Sequence, residues 1–150
     1  MAVFRDHPYP AANFLVNFGG ADPYAVQAGV IEVTLPEARI QVTEYREGND
    51  KENDPHKVTS QAEYTNLVLK RASHGSLDWY TWWNDVRNGD QASMRTVTVQ
   101  LLNEDHSQVV LTWKLLRARP VTQRFAPLIA HDNSAVIETL ELAFERLEME

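Results

Sequence analysis

There is no cysteine in the 150 residues, so disulfide frameworks, thiolate metal sites and cysteine nucleophiles are excluded together. That absence fits a reducing cytoplasm. Excess positive charge is missing as well: the formal net charge is −7, and an acidic surface repels phosphate, which makes nucleic acid and anionic membranes poor partners. No apolar run approaches the length of a membrane span, and the segment Met1-Ala2-Val3-Phe4-Arg5-Asp6-His7-Pro8 lacks the apolar core of a signal peptide. The expectation is a chain that leaves its cell only as part of something larger. Gly19-Gly20 is no phosphate cradle, because no glycine fingerprint continues from it and no Lys-Ser/Thr follows.

What is present is ordinary for a globular protein: 43% hydrophobic and 23% charged residues, enough for one core and too little for two. One domain over 1–150 is expected, with no internal repeat. Short strands are expected at 13–18, ended by Gly19-Gly20 and an Asp22-Pro23 turn, at 30–35, stopped by Pro36, and at 40–45, where Ile40, Val42 and Glu44 alternate with Gln41, Thr43 and Tyr45. A further strand covers 64–70. Val97, Val99 and Leu101 pair in a hairpin with Val109, Leu111, Trp113 and Leu115 across the turn 103–107.

The clearest local signal runs from Ser76 to Asn88. Ser76 suits the N-cap, Asp78 the positive helix start and Gly89 the position past the end. Trp79, Trp82, Trp83 and Val86 recur at helical spacing, with Leu77 and Tyr80 widening the stripe, so Leu77, Trp79, Trp82, Trp83 and Val86 are the expected packing residues of one amphipathic helix. The C-terminal stretch is ambiguous. Val136, Leu140, Ala143, Phe144 and Leu147 fit a helical stripe, while Leu140, Leu142 and Phe144 also alternate as a strand would; periodicity alone leans towards helix.

Candidate chemistry is thin. The five histidines, His7, His56, His74, His106 and His131, fall in separate loops and form no metal-ligand spacing. Asp105-His106-Ser107 has the residue types of a hydrolase triad, but neighbours on one turn cannot adopt its relay geometry. Asp50, Glu52 and Asp54 have alternating spacing, yet the glycine and glutamate of a calcium loop are replaced by Pro55 and Gln61. Arg117, Arg119 and Arg124 read as a solvated face or as partners in subunit salt bridges. No catalytic residue, cofactor or metal is expected. The most informative loop is 47–57, with no apolar residue at all: Glu47, Asn49, Asp50, Lys51, Glu52, Asn53, Asp54, His56 and Lys57 include most of it. Loops so long inside a compact domain are usually functional or disordered.

From Tyr45-Arg46-Glu47-Gly48-Asn49-Asp50 onward the chain resembles the tail tube (inner tube) proteins of contractile phages and phage-tail-like injection particles. Further likeness lies in Asn66-Leu67-Val68-Leu69-Lys70-Arg71, in Leu77-Asp78-Trp79 followed by Trp83-Asn84-Asp85-Val86-Arg87-Asn88-Gly89, and in Ile137-Glu138-Thr139-Leu140-Glu141-Leu142. The segment Ala28-Gly29-Val30-Ile31-Glu32-Val33 departs from the Phe/Ser-Glu-Val-Ser-Gly-Leu-like run that family members often carry. The resemblance implies a mainly β fold, two antiparallel sheets forming a barrel or sandwich with one flanking helix, and a strand at the C-terminus. It also implies a structural subunit, not an enzyme: hexameric rings stacked into a hollow tube, with a sheath around it, baseplate or spike proteins at one end and cargo in the lumen. By the same resemblance residues 47–57 contact the adjacent ring, and no membrane anchor or sequence-specific nucleic-acid site is implied. Synthesis in the bacterial cytoplasm and export within a particle follow. A specialised initiator or baseplate-adaptor ring and a monomeric small-ligand-binding barrel are the alternatives.

Overall fold

The computed structural model describes residues 1–19, 26–27 and 29–150. Along them run β1 (Phe14–Asn17), β2 (Val30–Thr34), β3 (Ala38–Tyr45), β4 (His56–Tyr64), β5 (Leu67–Ala72), α1 (Asp78–Arg87), β6 (Arg95–Leu102), β7 (Val109–Phe125), β8 (Ile137–Ala143) and β9 (Arg146–Met149). The main sheet has the order β1-β6-β7-β8-β5-β2, with β9 also paired to β7, and β3 and β4 form a separate ribbon. Every pairing is antiparallel.

Strand β7 serves two layers. Up to Ala118 it pairs with β6, and from Arg119 onward with β8. Between these halves Arg117 takes a φ of 53°, and the β8 pairing steps from Pro120 to Thr122. The extra residue, Val121, is a bulge, the device that bends a strand and tolerates a proline lacking its N–H. The first layer is β1-β6-β7, and the second is the rest of β7 with β8, β5 and β2.

Both layers turn their apolar residues onto one core. Leu67 lies opposite Leu142 and Leu69 opposite Leu140, all four fully buried. Val16, Val97, Val99 and Leu115 come from the other layer, and Trp79 and Trp82 descend from α1. Phe18 sits 5.0 Å from the Trp82 ring. Gly19 must be glycine: its φ is +75°, and a Cβ there would lie 2.8 Å from the Thr96 carbonyl oxygen. Gly89, with φ +82°, ends the helix as its placement after Asn88 leads one to expect.

Several expectations change. The mainly β fold with one helix holds, but the described strands leave an open, sandwich-like arrangement, because β1 and β2 end the path without meeting. The C-terminal stretch is β8 and β9, as the resemblance implies and against the helical lean. The helix starts at Asp78 with Leu77 at its N-cap, so Ser76 stands one residue before the cap; its hydroxyl donates to the Asp78 carboxylate at 2.8 Å and accepts from the Asp78 N–H at 3.4 Å. Leu77 is 69% exposed, because it precedes the first turn, and Tyr80 is exposed too. Trp83 and Val86 are only half-buried. The polar stretch 47–57 is shorter as a loop, since His56 and Lys57 already pair with Tyr45 and Glu44 in a strand not foreseen at 56–64. The Asp22-Pro23 turn and Gly20 lie outside the described residues.

The two kinds of tryptophan separate energetically. Trp82→Ala is expected to lower the unfolding free energy by about 3–5 kcal/mol, the usual loss for a fully buried aromatic. Trp83→Ala should lose only about 1 kcal/mol, because its ring keeps part of its water contact. Urea unfolding of dissociated subunits, followed by far-UV circular dichroism, measures both; equal losses would mean the helix seats on a different face.

Candidate assembly surfaces

The buried polar centre of the molecule is Arg71. It is on the inward face of β5, 1% exposed, opposite Glu138 of β8, which is 2% exposed. Arg71 Nε donates to Glu138 Oε2 at 2.9 Å, and Nη2 donates to Asp78 Oδ1 at 2.7 Å, while its guanidinium lies 3.9 Å from the Trp79 ring centroid. The other Glu138 oxygen accepts from Gln123 of β7 at 2.6 Å. One cation thereby ties β5, β8 and the start of α1, with β7 joined through the glutamate. Burial pulls the Arg71 pKa down most, but hydrogen bonds and charge from Asp78 and Glu138 outweigh it and raise the value. At Asp78 burial pushes upward, and the bonds from Arg71, Ser76 and the Trp79 N–H leave the pKa below the ordinary 3.8.

The chemical motifs do not assemble. In the 103–107 turn Ser107 Oγ donates to Asp105 at 2.6 Å, a closed local turn with no histidine relay, and that bond lowers the Asp105 pKa. Among the described residues no group of three His, Asp or Glu side chains could hold a metal ion. Arg117 and Arg119 both pair with Glu145, and Arg124 lies 3.5 Å from Glu141, so each arginine of this cluster has a carboxylate partner within the chain.

Surfaces without partners are more informative. Every residue of β3, and all of β4 except Tyr64, is exposed. At the ribbon's base Thr65 N donates to the Glu37 carbonyl and Glu37 N donates to Thr65 Oγ1, and Tyr64 meets the Phe144 ring of the main sheet's end at 5.1 Å. An isolated two-stranded ribbon is marginal in water. Its tip nevertheless has a defined shape. Arg46 donates to the Asp50 and Glu52 carbonyls at 2.8 and 2.9 Å, Glu47 N donates to Asp50 Oδ2 at 3.0 Å, and His56 lies 3.3 Å from the same carboxylate. Glu47, Asn49, Asp50, Lys51, Glu52, Asn53 and Asp54 lie on this tip; His56 and Lys57 open β4.

Strands β1 and β9 bound the layer that contains β6. In the layer β7-β8-β5-β2, both edges lack strand partners among the described residues: β2, and residues 119–125 of β7 on the side away from β8. The face of this layer turned from the core carries Glu32, Lys70, Thr139, Glu141, Thr122 and Arg124 by register. Glu32 pairs with Lys70 at 3.2 Å and Glu141 with Arg124, so the face is polar yet locally charge-balanced. The whole chain exposes 10187 Å², whereas a compact monomer of its 17.1 kDa exposes about 7,800 Å².

This geometry has relatives. The profile of the family described as T4-like virus tail tube protein gp19 matches residues 10–148. The chain belongs to that family. A chain in the 6-fold symmetrised baseplate of the anti-feeding prophage is 26% identical, with a TM-score of 0.84 and 97% of each chain covered. A chain of the sheath-tube complex of an extracellular contractile injection system, PVC, in its extended state is 21% identical, with a TM-score of 0.83 over 97% of this chain and 93% of that one. Hcp1 from Flavobacterium johnsoniae shares the fold at 13% identity and a TM-score of 0.56, over 91% and 94% of the two chains. No curated protein sequence matches significantly.

In this member of the family the sequence motifs point at the right segments but not at their roles. Leu69-Lys70-Arg71 is legible as the end of a strand, while Arg71 as the buried tie is not. The available signal is weak: an arginine in phase with Leu67 and Leu69, and a glutamate, Glu138, in phase with Leu140 and Leu142. Charges on an apolar face must find one another or stay in water.

Removing one member of this buried pair is therefore costly. Arg71→Met is expected to lose about 3–5 kcal/mol, and adding Glu138→Leu should restore much of it, because an apolar pair needs no desolvation. Asp78, whose folded pKa is lowered, contributes stability above pH 3.8 that disappears as pH falls through its folded value. Asp78→Asn should therefore be less stable at pH 6 but lose stability less steeply below pH 4. Urea midpoints across that range give both answers, and parallel acid limbs would contradict the Asp78 assignment.

Proposed function

We propose that this chain is the repeating subunit of the inner tube of a contractile injection particle, in which six copies form a ring and rings stack into a hollow conduit. Membership of the tail tube family carries the reading, and the unpartnered edges supply its physics. Exposed strand edges are a liability for a monomer. Pairing β2 of one copy with residues 119–125 of β7 in the next satisfies both edges, is head-to-tail, and closes into a ring when the rotation closes. The polar face bearing Glu32, Lys70, Glu141 and Arg124 then lines the lumen, while the core and α1 lie outside it.

The ribbon β3–β4, with its polar tip 47–55, reaches the adjacent ring. A sheath surrounds the tube, baseplate and spike proteins meet one end, and the lumen is open to cargo. The subunit is made in the bacterial cytoplasm and works in the assembled particle. It does no bond-making chemistry: its role is mechanical. The 26% identity to a baseplate chain favours a second reading within the same class, a ring at the baseplate end of the tube. A small-ligand barrel has less support, because the hollow at the ribbon base is open and lined by Glu37, Arg39 and Glu63.

Negative-stain electron microscopy of concentrated protein should show rings with a central hole, alone or stacked. Replacing residues 47–55 by Asn-Gly, the pair favoured in tight hairpins, should leave the melting temperature nearly unchanged and shorten the stacks. Stacks of unchanged length would remove the tip from the inter-ring contact.

A further inference from the structure

The two edges of the layer β7-β8-β5-β2 carry a readable hydrogen-bonding phase, because backbone groups along a strand turn alternately to one side and the other. On β5, Ser73 N donates to the Val136 carbonyl, so Leu67, Leu69 and Arg71 bond towards β8, and Val68 and Lys70 towards β2. Lys70 stands opposite Glu32 and Val68 opposite Thr34. Those two residues of β2 therefore bond inward, and Val33 turns its N–H and carbonyl out of the edge. On β7, Ala126 N donates to the Ile137 carbonyl. Thr122 and Arg124 share that phase and bond towards β8, which leaves Gln123 and Phe125 turned outward.

Strand direction and side-chain faces restrict what can pair there. All three pairings of the layer are antiparallel, so β2 and β7 run in opposite directions, and a copy placed edge to edge continues the alternation. Val33 and Gln123 lie on the core side, level with Leu69 and Leu140, while Glu32, Thr34, Thr122 and Arg124 lie on the other. Core side must meet core side and outward backbone must meet outward backbone. Both conditions hold only for registers that differ by two residues.

Side chains choose among those registers. With Val33 opposite Gln123, Glu32 comes opposite Arg124 and Ile31 opposite Phe125. Ile31 is 57% exposed and Phe125 54%, two large apolar side chains left in water at opposite edges of one copy. Glu32 already has Lys70 at 3.2 Å, and Arg124 has Glu141 at 3.5 Å. The seam then reads Lys70, Glu32, Arg124, Glu141, a row in which every neighbour has the opposite sign. Slipping so that Val33 meets Val121 drives Thr34 into the bulge at Pro120. Slipping the other way sets Glu32 against Ala126, beyond the end of β7, and parts Ile31 from Phe125.

We infer that neighbouring copies in a ring join in this one register, with Glu32 of one copy paired to Arg124 of the next and Ile31 covered by Phe125. The inference rests on the tube reading and names the residues of its lateral seam. Backbone hydrogen bonds supply the strength, since exposed ion pairs contribute little. The charge row and the apolar pair supply the register.

The absence of cysteine allows a direct test. Val33 and Gln123 form the hydrogen-bonded pair, so Glu32 and Arg124 form the closer, non-hydrogen-bonded one, with Cα atoms about 4.5 Å apart, inside the range of about 4.4–6.8 Å that a disulfide spans. Within one copy the same residues are three strands apart, about 14 Å, and cannot link. Under mild oxidation, Glu32→Cys/Arg124→Cys should give a disulfide ladder that ends at the copy number of one ring. Glu32→Cys/Thr122→Cys and Thr34→Cys/Arg124→Cys report the two slipped registers and should give at least tenfold less. Separately, Glu32→Lys should raise the concentration needed for rings at least tenfold and leave the melting temperature nearly unchanged. A stronger ladder from either slipped pair overturns the register, and so do rings of the unaltered protein with no ladder from any of the three; both outcomes leave the tube reading standing. Assembly unchanged by Glu32→Lys overturns the ion pair. No rings and no ladder would sink both the register and the tube reading.

Discussion

The guanidinium of Arg71 has left water at the point where β5, its neighbour β8 and the start of the helix meet, and the architecture depends on that charge being answered. An isolated cation there would be untenable. Glu138 answers it across the sheet, Asp78 answers it from the first helical turn, and the Trp79 ring covers its face. The two carboxylates come from different elements, so the charge can be satisfied only when β5, β8 and α1 are together. Hydrophobic burial alone would let a helix slide over a sheet of leucines. The directional bonds of one cation select a single seating, a use of buried polar groups that acts through uniqueness as much as through net stability.

Around that centre the chain is well packed on one side and unfinished on the others. Leucines, valines and two tryptophans fill the interior. Beyond it stand a ribbon with no core of its own, strand edges without partners among the described residues and an apolar loop facing water. Each would be a defect in a monomer. In the ring proposed above, the edges β2 and 119–125 of β7 would complement each other through backbone hydrogen bonds, which are indifferent to side chains and tolerate low sequence identity.

Much of the fold was readable in advance. The alternation at 97–101 and 109–115, the helical spacing of Trp79, Trp82 and Val86, and the glycine after Asn88 all report local geometry, which the backbone obeys whatever surrounds it. The C-terminal strand was not readable from periodicity, since Leu140 and Phe144 fit both a helical stripe with Ala143 and Leu147 and a strand alternation with Leu142; its pairing with β5 and β7 decides for strand. Strand β4 escaped notice because a ribbon exposed on both faces has no reason to alternate. The polar run at 47–57 looked like a loop throughout, yet Tyr45–His56 and Glu44–Lys57 pairing shortens it.

By itself, then, the sequence determined the absence of thiol chemistry, the element types wherever an apolar period was unambiguous, and the resemblance that placed the chain among tail tube proteins. Tertiary structure alone decided which half of the tryptophan stripe is buried, which arginine is the tie and which are ordinary surface pairs, and which apolar residues face water. The reason is physical. Periodicity records what one element presents to its surroundings, but burial and ion pairing are properties of two or more elements at once. Arg71 and Glu138 lie 67 residues apart in the chain, and only a sheet makes them neighbours.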